Sequence, residues 1–295
     1  MVVYNFLNFV SRQNAQLIVL VLSNLLTKMI QKKPHEYSSS ENGMDNPLLN
    51  PDLEGGDFFW EGGNVGILFL HGLTATTAEV RPLAKFFHDE GFTASGILLP
   101  GHGLTPEDLN KTHRNLWISE SEKAFLELKK KCSVIFVAGE SAGSLLALIL
   151  ASKYYEIKGI LLYAPAMRLA SSFLKTFFLV LVSPFVFSIK KIQDERAGMP
   201  WQGYKVNPLR AGLQLLKLQF ETKKKLHKIY QPILNIQASL DKTVDLKSGE
   251  IINQNVQSAV FESHWMEKSN HVVILDQEFE VVAKKSLDFV KKLLN

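Results

Sequence analysis

From residue 57 onwards, short apolar runs alternate with longer amphipathic stretches. The runs 58–60, 65–70, 94–99, 133–138, 159–163, 233–238 and 259–264 carry the apolar density of strands. Between them, 77–90, 117–131, 144–154, 246–254 and 278–294 show helical spacing. In 117–131 the residues Trp117, Ser121, Ala124, Phe125 and Leu128 fall along one face, and Gly91 stops the helix at 77–90. Gly66-Ile67-Leu68-Phe69-Leu70 is apolar at successive positions, so both of its faces are expected to be covered. Strand–helix alternation then predicts a mostly parallel, doubly wound α/β sheet with helices on both faces.

Two stretches break the pattern. Residues 34–57 are rich in Pro, Ser, Asn, Gly and acids and are expected to form a linker. Residues 166–230 interrupt the alternation and begin with Phe177-Phe178-Leu179-Val180-Leu181-Val182. Pro184 follows within about a dozen residues, too few to cross a bilayer, so an inserted helical cap is expected there. The body is then 58–165 together with 231–295. The chain has 295 residues, 46% of them apolar, which is enough to bury a core without disulfides or metals.

The formal net charge is +4, and its position matters more than its size. Residues 1–33 carry Arg12, Lys28, Lys32 and Lys33 and no acid. The 29 basic residues left elsewhere balance the 29 acidic ones. A neutral body argues against a nucleic-acid partner, which needs a clustered basic surface. Only 15 uncharged residues separate Arg12 from Lys28, fewer than the ~20 a bilayer span requires. A basic amphipathic helix resting on an anionic membrane surface fits this segment. A helix packed on the body or on a second subunit competes with it, as does a cleaved signal. Cys132 is the single cysteine, which rules out an intrachain disulfide and any Cys-based zinc site. It points to a reducing compartment, hence a cytoplasmic protein that touches the membrane at most peripherally.

Gly139-Glu140-Ser141-Ala142-Gly143 fits G-x-S-x-G in the context that gives this pattern meaning. Val134-Ile135-Phe136-Val137-Ala138 leads into it as a strand, and Ser144 to Leu150 leave it as a helix. Small residues two before and two after the serine let strand and helix backbones pass closely. A serine hydroxyl needs a general base, and a histidine base needs a carboxylate to fix its tautomer. Those partners are expected after the serine in the order acid, then histidine. Asp241 follows the run 233–238 and is preferred to Asp245, which suits a helix cap. His271 follows the last strand and is preferred to His264, which lies within or at the end of it. His71 and His102 sit in Gly-containing turns and are expected to form structural hydrogen bonds; His35, His88, His113 and His227 fall in surface or loop positions. Two backbone N–H groups should hold a developing oxyanion. Ala142, next to the nucleophile, and Leu73, after an early strand, are the expected donors.

Taken together, these residues resemble the α/β-hydrolase superfamily of serine esterases, notably bacterial carboxylesterases and monoacylglycerol lipases. The likeness covers residue 57 to the C-terminus. It rests on Phe58-Phe59-Trp60-Glu61-Gly62-Gly63, Leu68-Phe69-Leu70-His71-Gly72-Leu73-Thr74, Pro100-Gly101-His102-Gly103, the serine elbow, and Ser269-Asn270-His271-Val272-Val273-Ile274-Leu275-Asp276. The resemblance implies an ester hydrolase with a small cap, no cofactor and no metal, acting on short- to medium-chain esters or monoacylglycerols. A thioesterase, acyltransferase or C–C hydrolase would use the same three residues, and a silent binding protein could keep the scaffold. Two positions depart from the family's habit. Glu140 stands where His or Leu is frequent, either tuning the site or lying solvated at its rim. Ala142 stands where Met or Leu is common, leaving more room beside the serine.

Overall fold

The computed structural model describes residues 46–171, 183–191 and 198–295. The segment 1–33, the first part of the expected linker and the apolar run Phe177 to Val182 lie outside these residues.

Strands β1 (Leu48–Leu49), β2 (Phe58–Trp60) and β3 (Val65–Leu70) open the described chain. A 3-10 turn at Thr77–Glu79, helix α1 (Arg81–Asp89) and β4 (Thr93–Gly96) follow. Next come α2 (Pro106–Lys111), α3 (Arg114–Lys129), β5 (Val134–Glu140), α4 (Ala142–Lys153) and β6 (Gly159–Tyr163). The interrupting stretch holds β7 (Ser188–Lys190), β8 (Gly203–Tyr204), β9 (Val206–Pro208) and α5 (Leu209–Lys225). The chain closes with β10 (Ile233–Ala238), α6 (Ser248–Asn253), β11 (Phe261–Met266) and α7 (Phe279–Leu294).

Seven strands form the central sheet in the order β11-β10-β6-β5-β3-β4-β2. All neighbours are parallel except β2, which runs antiparallel to β4 at the edge. Strand periodicity splits the apolar runs between two faces. Leu68, Leu70, Ile135, Val137, Ile160 and Leu162 pack with Trp117, Phe125 and Leu128 of α3, with α4, and with Ala211, Leu215 and Leu218 of α5. Ile67, Phe69, Phe136, Ala138, Leu161 and Tyr163 pack with Leu83, Ala84 and Phe87 of α1 and Val282, Ala283 and Phe289 of α7. The expected two-sided α/β sheet is therefore present. Helix α4 is buried from Ala142 to Ala151, which explains why its apolar residues show no preferred side.

Several boundaries differ from the sequence pattern for local reasons. The helix expected over 77–90 divides, because Pro82 offers no N–H to continue the ladder back to Ala78. β4 ends at Gly96, the last residue that pairs with both β2 and β3. β2 and β3 are adjacent in sequence yet not in the sheet, since β4 inserts between them.

The expected linker needs a correction over its described part. Leu48 and Leu49 pair with Tyr204 and Gly203. Asn50 Nδ2 donates to the carbonyls of Met199 and Trp201, and Gln202 Nε2 donates to those of Asn50, Pro51 and Leu53. These amides satisfy backbone groups that a free linker would leave to water. The stretch 166–230 also divides in its packing: α5 joins the body's core, while β7 and β9 form a separate antiparallel pair. Among the described residues, no helix is long and apolar enough to cross a membrane.

Candidate active site

The C-terminal ends of β3, β5, β6 and β10 bring the candidate residues together. β5 runs into Ser141, whose φ of 54° and ψ of −110° lie outside the regions an L-residue prefers. Four hydrogen bonds hold this strained turn. Ser141 N–H donates to the Tyr163 carbonyl at 2.9 Å, and the N–H groups of Ala166 and Ser144 donate to the Ser141 carbonyl at 3.1 and 3.2 Å. Ser144 Oγ donates to the Gly139 carbonyl at 2.6 Å. The flanking glycines are obligatory here. A Cβ on Gly139 would sit 2.3 Å from the Gly143 carbonyl carbon, and one on Gly143 would sit 2.0 Å from the Leu70 carbonyl oxygen.

His271 lies in the loop after β11, and Val273 N–H donates back to its carbonyl. Asp276 fixes the start of that loop by accepting from the N–H and Nδ2 of Asn270. The imidazole spans the gap to the elbow, with Nε2 2.9 Å from Ser141 Oγ and Nδ1 2.7 Å from Asp241 Oδ2. The other oxygen of Asp241 accepts from the N–H groups of Thr243 and Val244 at 2.8 and 2.9 Å. Burial works against a charge on Asp241. The neighbouring His271 and the two N–H groups outweigh it and hold the carboxyl below the usual carboxylate range. An ionised Asp241 takes the proton-bearing Nδ1, which leaves Nε2 as an acceptor for the Ser141 hydroxyl. Ser141, His271 and Asp241 therefore form one hydrogen-bonded line, almost closed to solvent.

The competing residues lie elsewhere. Asp245 pairs with Arg168 at 2.7 Å and caps the Lys247 N–H. His264 sits on β11 opposite Ile236, and partial burial lowers its pKa.

Ala142 opens α4, where the first N–H groups have no intrahelical acceptor. Leu73 follows β3, and its N–H takes no acceptor among the described residues. Its peptide plane is set from the other side. The Gly72 carbonyl, which shares that peptide, accepts from His71 Nδ1 at 2.9 Å and from Ala75 N–H at 3.3 Å. A trans peptide points its N–H opposite to its C=O, so these bonds aim the Leu73 N–H. Leu99 N–H donates to His71 Nε2 at 3.0 Å, which makes Nδ1 the protonated nitrogen. Burial lowers the His71 pKa to about 4 and holds His102 well below its usual value, so both rings are neutral near pH 7.

Two acids differ from what their sequence positions suggest. Glu140 is fully buried and so is not a solvated rim residue. It ends β5 opposite Tyr163, on the strand positions shared by Phe136 and Ala138. Burial, with the Glu140 charge adding to it, pushes the Tyr163 phenol well above its usual pKa, and the phenol donates to Ser286 Oγ. Glu79 carries no catalytic motif and escapes a sequence reading. Thr76-Thr77-Ala78-Glu79 has the spacing of a capping box, in which Glu79 would reach back to Thr76 N–H. Thr76 does cap Ala78 N–H. The Glu79 carboxylate instead accepts from Gly72 N–H at 2.6 Å and from Trp201 Nε1 at 2.8 Å. No cluster of His, Cys, Asp or Glu among the described residues could hold a metal ion.

Comparison with known proteins places the chain among serine hydrolases. The family model described as serine aminopeptidase, S33, matches residues 65–278. A thermostable monoacylglycerol lipase from Bacillus sp. (strain H-257) is 32% identical over 246 residues, 82% of this chain and 97% of that protein. A carboxylesterase from Bacillus subtilis (strain 168) is 28% identical over 240 residues, 80% of this chain and 96% of that protein. A solved structure from work on the metagenome-derived lipolytic enzymes LipS and LipT superposes with a TM-score of 0.75 at 27% identity, covering 81% of this chain and 98% of that one. With a family match over most of its length and a parallel sheet that ends on a serine elbow, this chain belongs to the serine aminopeptidase S33 family of hydrolases, on the α/β-hydrolase fold.

Proposed function

We propose that this protein is a serine carboxylic ester hydrolase that works through an acyl-serine intermediate. Its substrates in this reading are short- to medium-chain esters or monoacylglycerols. The observation that carries the reading is the unbroken line from Ser141 Oγ through His271 to Asp241. The names of the two Bacillus relatives support the ester class.

Ser141 Oγ attacks the ester carbonyl carbon while His271 Nε2 takes its proton. The carbonyl π pair moves onto oxygen, and the N–H groups of Leu73 and Ala142 stabilise that charge. Asp241 stabilises the imidazolium without taking its proton. The intermediate collapses, the C–O bond to the alcohol breaks, and His271 returns the proton to the leaving oxygen. Water then attacks the acyl-serine with His271 again as base, and the acid departs as Ser141 recovers its proton.

The inserted stretch borders this site, which supports a role in covering the acyl chain. Lys191 donates to Thr74 Oγ1, Tyr204 N–H donates to the Thr74 carbonyl, and Trp201 reaches Glu79. Residues 1–33 are assigned to the membrane surface. Unchanged vesicle partitioning on their removal would return them to ordinary packing.

The test is a panel of p-nitrophenyl esters and monoacylglycerols graded by acyl length, with a thioester and an aminoacyl anilide beside them. Ester turnover that favours the shorter acyl chains, reduced at least about 10⁴-fold in Ser141→Ala, is expected. Preference for the thioester or the anilide would replace the ester reading. Retention of most activity by Ser141→Ala would remove it.

A further inference from the structure

Glu79 lies beneath the loop that carries the proposed oxyanion donor and is only 3% exposed. Burying a carboxylate is costly unless hydrogen bonds compensate it. Two donors among the described residues reach it: Gly72 N–H to Oε2 at 2.6 Å and Trp201 Nε1 to Oε1 at 2.8 Å. Gly72 sits between that carboxylate and the nucleophile. A Cβ built on Gly72 would lie 3.0 Å from Glu79 Oε2 and 3.3 Å from Ser141 Cβ.

We propose that Glu79 is a positioning residue for the oxyanion hole: it clamps the backbone of Gly72 so that the next N–H, that of Leu73, faces the oxyanion. The inference rests on the serine-hydrolase reading above. Gly72 is gripped on both sides, its N–H by Glu79 and its carbonyl by His71 and Ala75. Glycine has the widest backbone freedom of any residue, so without the carboxylate the Gly72 N–H side could rotate. Trp201 belongs to the inserted stretch. The same carboxylate therefore ties that stretch to the donor loop.

Glu79→Gln preserves size but offers one acceptor oxygen. Whichever way the amide turns, its NH₂ faces either Gly72 N–H or Trp201 Nε1–H, donor against donor. The expected result is a fall of about tenfold to a hundredfold in kcat with KM within twofold. A trifluoromethyl ketone places an oxyanion in the same hole, so its inhibition constant should weaken by the factor lost in kcat/KM. Trp201→Phe keeps the Gly72 bond and removes the anchor on the other oxygen. It should lower both quantities in the same proportion by a smaller factor, about threefold, and serves if Glu79→Gln does not fold.

A merely structural role would lower the melting temperature and leave both quantities in place. Unchanged kcat in folded Glu79→Gln, or a loss of kcat with undiminished ketone affinity, overturns the proposal. If Glu79→Gln does not fold, an unchanged kcat and ketone affinity in Trp201→Phe does so. Ser141→Ala in the same series separates the two levels. If it stays active, the underlying hydrolase reading falls; if it is dead while Glu79→Gln is fully active, only the role of Glu79 falls.

Discussion

Replacing Asp241 with Asn exchanges one atom and should reverse the tautomer of His271. Oδ1 of Asp241 accepts two backbone N–H groups, from Thr243 and Val244, and Oδ2 meets His271 Nδ1 at 2.7 Å. An asparagine can offer only one oxygen. The two backbone donors claim that oxygen, which turns the NH₂ toward His271 Nδ1. Nδ1 must then accept, so the ring proton moves to Nε2, 2.9 Å from Ser141 Oγ. A ring protonated there cannot take the serine proton. The comparable exchange in other serine triads costs about 10⁴ in kcat, or roughly 5.5 kcal/mol at 1.36 kcal/mol per decade. The same order is expected here, with KM within about threefold because no substrate contact is lost. The assay is p-nitrophenyl ester turnover in the wild type and Asp241→Asn, with circular dichroism to show that the variant is folded. A loss below tenfold in a folded variant would refute the assigned tautomer and, with it, the role of Asp241.

Other outcomes follow from named contacts. Asp245→Ala should keep ester turnover within about threefold, because this carboxylate serves Arg168 and the Lys247 N–H rather than the imidazole; a loss near that of Asp241→Asn would exchange their roles. Gly143→Ala drives a methyl group to 2.0 Å from the Leu70 carbonyl, so a loss of about 3 kcal/mol or more is expected in chemical denaturation, against well under 1 kcal/mol if the elbow can relax. Buried His71 has its pKa lowered from 6.5 to about 4, so the unfolded chain binds the extra proton first. Stability should therefore decline as pH falls from about 6.5 through about 4, with His102 acting in the same direction, and His71→Gln should flatten the slope of melting temperature against pH. Below that window the depressed Asp241 carboxyl adds its own loss as it takes up a proton, and Asp241→Asn should remove that part.

The features legible in the sequence are those set by neighbours along the chain. The run Ile67 to Leu70 is apolar at every position, which marks a strand covered on both faces without reference to any distant residue. Ser141, Asp241 and His271 each follow a strand, and parallel strands deliver such positions to one edge of the sheet. What escaped depends on partners distant in sequence. Nothing near Asn50 announces that its amide will meet Trp201, so the segment before β2 looked like a linker. Glu79 has the spacing of a capping-box acid, and the return of Trp201 beside Gly72 gives its carboxylate another use. The sequence leaves Glu140 open between tuning the site and a solvated rim, and its place opposite Tyr163 at the end of a central strand buries it.

Ser141 is proposed as the nucleophile, and covalent capture distinguishes it from every other side chain. The full chain would be treated with a fluorophosphonate, digested, and the modified residue located by mass spectrometry. One adduct is expected, on Ser141, lost in Ser141→Ala and strongly slowed in Asp241→Asn. An unlabelled wild type, or an adduct on another residue that persists in Ser141→Ala, would contradict it.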